Sequence, residues 1–166
     1  MTAMAADDGH SRQVVEELLA AYVTAIDDGD LERWPEFFTA DCVYRIVPRE
    51  NDSLNLPLAV MSCNSQAALT DRIAAYRKAN LFAPHAYRHM LGPVRVRDEG
   101  KLGMGARTNY AVFRTALDPI DYGTSEVFSV GEYRDRIAIV DGIARFREKT
   151  VVVDTCRIHT LLATPL

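Results

Sequence analysis

Apolar positions recur at helical spacing early in the chain and alternate in its second half, so the pattern reads as helices first and long strands later. Val14, Leu18, Leu19, Tyr22 and Ile26 share one stripe of a helix that Ser11 can cap and that Gly29, at ease in the left-handed region, can end. A shorter helix over 31–38 brings Trp34, Phe37 and Phe38, with Pro35 tolerable in its first turn. A strand over 42–47 stops at Pro48. Residues 49–57 are polar and turn-prone, pinned by Leu54 and Leu56, and a short apolar stretch covers 58–61. Ser65 caps a third helix that turns Ala68, Leu69, Ile73 and Tyr76 inward, keeps Asp71 and Arg72 at its solvent edge and ends near Asn80.

An aromatic loop over 81–87 leads through Arg88 and His89 into a strand ending around Arg97, and Asp98-Glu99-Gly100 turns the chain. The stretch 106–117 alternates as a strand should, and Asp118-Pro119 begins a turn. A long antiparallel hairpin then spans Thr124 to Asp154, because Asp141-Gly142 accepts the positive φ angles of a two-residue type I′ turn. A continuous ladder from that turn pairs Val140 with Ile143, Ile139 with Ala144, Ile137 with Phe146 and Tyr133 with Thr150. It also sets Arg136 against Arg147 and Arg134 against Lys149 on the outer face, where facing like charges cost up to ~1 kcal/mol per pair. The inner face then holds Asp135 opposite Glu148, two carboxylates that need a cation, a shared proton or water. Gly131 sits where the inward parity changes, as at a β-bulge. Helices first and four long antiparallel strands last predict an α+β fold, a cone-shaped curved antiparallel sheet covered by N-terminal helices. Residues 1–10 are expected to be a disordered tail ahead of one domain over 11–166.

Composition narrows the classes. With 166 residues, 48% of them apolar and a net charge of -4, the chain is an ordinary globule without a membrane span or a nucleic-acid footprint. Its first ten residues lack the basic and apolar regions of a secretory signal, which points to the cytoplasm. Cys42, Cys63 and Cys156 are too widely spaced for a disulfide framework and read as small buried thiols.

Few constellations suggest chemistry. His85 and His89 have the spacing of zinc ligands on a helix, but Ala86 stands where a metalloprotease carries its glutamate. The structural reading has Arg88 and His89 bonding to carbonyls or to acids such as Asp71, Asp135 or Glu148. Cys156-Arg-Ile-His159 is half of a Rieske pattern, and no C-x-H completes it. A facial triad from His85, His89 and Asp154 is strained. No G-x-S-x-G, phosphate loop or dinucleotide fingerprint occurs. Acid–base work in a cone could use Asp135 with Glu148, or Asp27 with His89 and Tyr22.

The run Tyr44-Arg-Ile-Val-Pro-Arg-Glu-Asn51, then Leu56-Pro-Leu58, Asp71-Arg72-Ile73, Tyr87-Arg-His89, Gly131-Glu-Tyr-Arg-Asp135 and Val153-Asp154-Thr155 resembles the small (β) subunit of aromatic-ring-hydroxylating dioxygenases. Pro48 to Asn51 is most similar to salicylate hydroxylase small subunits, and the hairpin with the ending Leu161 to Leu166 to terephthalate dioxygenase ones. Lys149 departs from the arginine expected beside the inner-face acid, which weakens bidentate pairing there. The resemblance implies the cone fold shared with nuclear transport factor 2, scytalone dehydratase and ketosteroid isomerase. It implies no catalytic, cofactor-binding or metal residue on this chain. The Rieske cluster, the mononuclear iron and the substrate pocket would lie on a large (α) subunit in an α3β3 assembly, with a reductase delivering electrons from NAD(P)H and an aromatic acid as substrate. The rival readings are a free-standing cone-fold isomerase or dehydratase and a ligand-binding module without turnover.

Overall fold

Helix α1 spans Thr2–Asp27 in the computed structural model, which describes residues 2–79, 83–155 and 164–166. The helix thus reaches back beyond Ser11 through most of the stretch expected to be a disordered tail, residues 1–10. Val15, Leu18, Leu19, Tyr22, Val23 and Ile26 form its buried stripe. Gly29 ends it at φ 74, with the Asp30 amide donating to the Ala25 carbonyl and the Gly29 amide to Ile26, the paired bonds of a Schellman stop. The short helix expected over 31–38 is a 3-10 helix over Leu31–Phe37, and it buries Trp34. Strand β1 follows at Phe38–Pro48, and a five-residue helix, α2, occupies Arg49–Ser53 where a loop was expected. After β2 (Met61–Cys63) comes α3 (Gln66–Ala79), whose entry is capped by the Ser65 hydroxyl accepting the Ala68 amide at 3.1 Å.

The remaining strands are β3 (His85–Leu91), β4 (Arg95–Asp98), β5 (Met104–Ala116), β6 (Ser125–Val140) and β7 (Ile143–Val153). Gly92 and Pro93 split the single strand expected up to Arg97 into β3 and β4. The sheet runs β2-β1-β7-β6-β5-β3, with β4 also on β5. It is curved and mixed. The β1/β7 pair is parallel, which corrects the wholly antiparallel expectation. Two strands running the same way need a long crossover, and here everything from α2 to β6 serves as one. α1, the 3-10 helix and α3 cover one face, so the buried side chains form one cluster between helices and sheet.

The hairpin turn is as expected, with Asp141 at φ 52 and Gly142 at φ 78. Pairing follows the predicted ladder only as far as Ile137 with Phe146. Arg147 then bulges out, and the register moves by one: Arg136 faces Glu148, Asp135 faces Lys149, Arg134 faces Thr150 and Tyr133 faces Val151. The bulge replaces two like-charged pairs and a carboxylate pair with two ion pairs, and it turns Lys149 rather than Glu148 into the core. A second bulge lies at Phe128, not at Gly131, because Val112 pairs with Ser129 and Phe113 with Val127. Gly131 has another cause. A β-carbon there would lie 2.0 Å from the Val152 carbonyl oxygen and 3.0 Å from the Tyr110 ring, so only glycine lets the strands approach.

Candidate functional site

The inside of the cone holds a few buried polar groups within the apolar cluster. Lys149 is 0% exposed and donates to both Asp135 carboxylate oxygens, at 3.2 and 3.3 Å. Its ammonium lies 3.7 Å from the Tyr133 ring centre and 4.6 Å from those of Tyr22 and Phe146, a cation held in an aromatic cage. Burial raises the Asp135 carboxyl above its ordinary range, against the pull of Lys149. Burial lowers Lys149 in turn, against Asp135. Trp34 donates to the Tyr22 hydroxyl at 3.3 Å, and Tyr22 donates to the Leu166 carbonyl oxygen at 2.8 Å. The Leu166 amide donates to the Tyr44 hydroxyl at 3.0 Å, which fixes this residue in the interior. Burial lifts the Tyr22, Tyr44, Tyr110 and Tyr133 hydroxyls well above the ordinary phenol range, so they stay neutral; Tyr22 and Tyr44 bond to Leu166 and Tyr110 to Ser129, while the Tyr133 hydroxyl has no hydrogen-bond partner among the described residues.

Asp27, at the end of α1, grips β3. The His89 Nδ1–H donates to Asp27 Oδ1 at 2.6 Å and the His89 backbone amide to Oδ2 at 2.9 Å, which leaves the buried Nε2 without a partner among the described residues. The structure therefore brings together Asp27 and His89 of the proposed acid–base trio, while Tyr22 is occupied with Trp34 and Leu166. Asp135 and Glu148 are separated: one is inside on Lys149, the other outside, accepting from Arg136 at 3.2 Å. His85 and His89 lie on a strand rather than a helix, and His85 Nδ1 bonds to the Ala83 carbonyl oxygen at 2.8 Å. Asp154 instead accepts from Arg49 at 2.5 Å. Cys42 and Cys63 are buried thiols, and Cys156 and His159 lie outside the described residues. With His85 and His89 so committed and His10 exposed on α1, the described donors do not fit the two-cysteine, two-histidine requirement of a Rieske centre.

The other face of the sheet carries a trough of about 640 Å³. It is lined by Arg45, Arg95, Arg97, Arg107, Arg134 and Arg136, with Asp52, Glu99 and Glu148 among them. Arg134 pairs with Asp52 at 2.9 Å and Glu132 at 3.2 Å; Arg136 pairs with Glu148 and, at 3.6 Å, with Glu99. The sequence reading found the cluster at Arg134 and Arg136 but missed Arg45, Arg95, Arg97 and Arg107. Arginines at alternate positions, 95 with 97 and 134 with 136, were the available signal, since period two puts them on one face.

The SnoaL-like domain family matches residues 8–150, and the helix-covered curved sheet is the fold of that family, to which this chain belongs. Within this fold class its relatives are small subunits of aromatic-ring dioxygenases. It is 39% identical over 145 residues to the anthranilate 1,2-dioxygenase small subunit of Burkholderia cepacia, covering 87% of this chain and 88% of the relative. It is 38% identical over 147 residues to the β1 subunit of the terminal oxygenase component of terephthalate 1,2-dioxygenase from a Comamonas species, covering 89% and 93%. A crystal structure from Novosphingobium aromaticivorans, assigned as the β subunit of an aromatic-ring-hydroxylating dioxygenase, superposes with a TM-score of 0.83 at 37% identity, over 100% of both chains. No helix among the described residues is long and apolar enough to cross a membrane.

Proposed function

We propose that this chain is the assembly-supporting small subunit of a Rieske-type ring-hydroxylating oxygenase acting on an aromatic acid. The observation that carries the reading is its similarity, along almost the whole chain, to subunits named for anthranilate and terephthalate dioxygenases, both enzymes of carboxylated benzenes. In this reading the large subunit carries the Rieske cluster, the mononuclear iron and the substrate pocket. Three copies of each subunit form the α3β3 assembly, and a reductase supplies electrons from NAD(P)H in the cytoplasm. No residue of this chain turns over substrate. That reading is supported by how the interior acids are used: Asp135 is spent on Lys149 and Asp27 on His89.

The test is co-expression with a large oxygenase subunit that carries the C-x-H and C-x-x-H pair, followed by size-exclusion chromatography with light scattering. The expected result is one peak holding both chains in equal number. A large subunit that assembles fully without this chain, while this chain elutes apart, would overturn the reading.

A further inference from the structure

The trough has an order that its lining alone does not reveal. Across the sheet, Arg45 faces Thr150, Thr150 faces Arg134, Arg134 faces Arg107 and Arg107 faces Arg95. This is one straight row over five strands, about 19 Å long at the ordinary strand spacing. One step along, Arg136 faces Gly105, which faces Arg97. Directly facing like charges in a sheet are destabilising, and this row contains two such contacts, Arg134 with Arg107 and Arg107 with Arg95. The chain's own acids answer only part of it. Arg134 and Arg136 are paired, and Arg107 has one long contact to Glu132 at 3.5 Å. Arg45, Arg95 and Arg97 make no ion pair among the described residues and are exposed.

A chain with a net charge of -4 thus concentrates unanswered positive charge on one face. The rim shows what kind of anion fits. Leu56 and Pro57 line the trough, and Leu54, Leu56, Leu58 and Val60 are 48–72% exposed along the adjoining loop. A small anion needs no such apolar rim. Nucleic acid is disfavoured by the acids Asp52, Glu99 and Glu148 standing among the arginines. A protein surface that combines carboxylates with apolar side chains matches both parts.

Building on the small-subunit reading, we infer that the trough is the docking surface for an acidic segment of the large oxygenase subunit, whose Asp and Glu side chains pair with Arg45, Arg95 and Arg97 while its apolar side chains cover the Leu54–Val60 loop. These three arginines hold no ion pair among the described residues, so reversing them leaves the described internal network intact.

The experiment titrates the purified large subunit with the unmodified chain, with Arg45→Glu/Arg95→Glu, with the milder Arg45→Gln/Arg95→Gln, and with Arg12→Glu on α1 as the control. The double reversal is expected to weaken binding at least ~30-fold at about 50 mM salt and less than ~3-fold at about 500 mM, because screening shortens the reach of exposed charge. The glutamine variant should fall between, and Arg12→Glu should bind like the unmodified chain. A photo-crosslinker placed at Asn55, a trough residue, should capture a large-subunit peptide rich in Asp and Glu. If the unmodified chain binds and both double variants bind equally well at either salt, or the captured peptide is not acidic, the docking inference is overturned and the subunit reading stands. If the unmodified chain binds no large subunit, the subunit reading itself is overturned.

Discussion

Replacing Lys149 with Met removes the single cation that neutralises a carboxylate closed inside the core. Asp135 is 4% exposed and its oxygens are reached by Lys149 alone among the described side chains, so the variant leaves an uncompensated buried charge. Breaking such a pair from one side costs ~3–5 kcal/mol, and the lost contacts with the Tyr133, Tyr22 and Phe146 rings fall within that figure. Replacing both partners with Asp135→Leu/Lys149→Met removes charge and counter-charge together and should cost less than ~1 kcal/mol, a coupling of several kcal/mol between the sites. Urea unfolding followed by Trp34, the chain's one tryptophan, measures both. The pH dependence has a definite sign. The Asp135 pKa is already raised by burial and rises further without Lys149. In the window above the ordinary carboxylate range, the folded variant therefore keeps a proton that the unfolded chain has given up. The penalty of Lys149→Met is thus largest near neutrality and shrinks as pH falls toward about 5. A single-site cost under ~1 kcal/mol, a double-variant cost equal to the sum of the singles, or a penalty that grows on acidification would show that Lys149 does not neutralise a buried Asp135 charge.

Gly131→Ala should destabilise by ~1–3 kcal/mol in the same urea assay, since its β-carbon meets the Val152 carbonyl and a backbone must move; an unchanged midpoint would show that β6 and β7 are not so closely apposed. Burial raises the Cys42 thiol to about 11, so in a Cys156→Ser background the folded chain should resist alkylation at pH 8 and react once unfolded. Because the folded thiol holds its proton after the unfolded one has lost it, Cys42 should also make stability fall as pH rises from about 9 to 11. Asp27→Ala strands two His89 donors and should cost ~1–3 kcal/mol for each group left unpaired, while turnover per folded oxygenase complex stays the same. Loss of an isomerase or dehydratase activity of the isolated chain in that variant would favour the free-standing cone enzyme.

The elements that local chemistry dictates were legible in the sequence, and those set by distant partners were not. Gly29, Ser65 and Asp141-Gly142 each perform the stop, cap or turn their residue types predict. The parallel β1/β7 pairing joins strands nearly a hundred residues apart, beyond the reach of any local pattern. The Arg147 bulge lay hidden because a ladder counted from a good turn is assumed to be continuous. The charges contained the correction: a slip of one residue turns Arg136 and Asp135 from like-charged neighbours into partners of Glu148 and Lys149. Of the interior polar groups, the Asp27–His89 contact was anticipated by residue type. The tyrosine hydroxyls around Leu166 were not, since no pattern in the chain points from helix α1 to residue 166.

The measurement that bears most directly on a non-catalytic subunit role is ring oxygenation by the large subunit, assayed with reductase and NAD(P)H on anthranilate, terephthalate, benzoate and salicylate, with this chain present, absent or alone. Iron content is determined on each preparation. Iron and turnover are expected only in preparations containing the large subunit, full activity only when this chain completes the assembly, and neither in this chain by itself. Stoichiometric iron in the isolated chain, or oxygenation of any of these acids by it alone, would place chemistry on this chain and rule out a non-catalytic role.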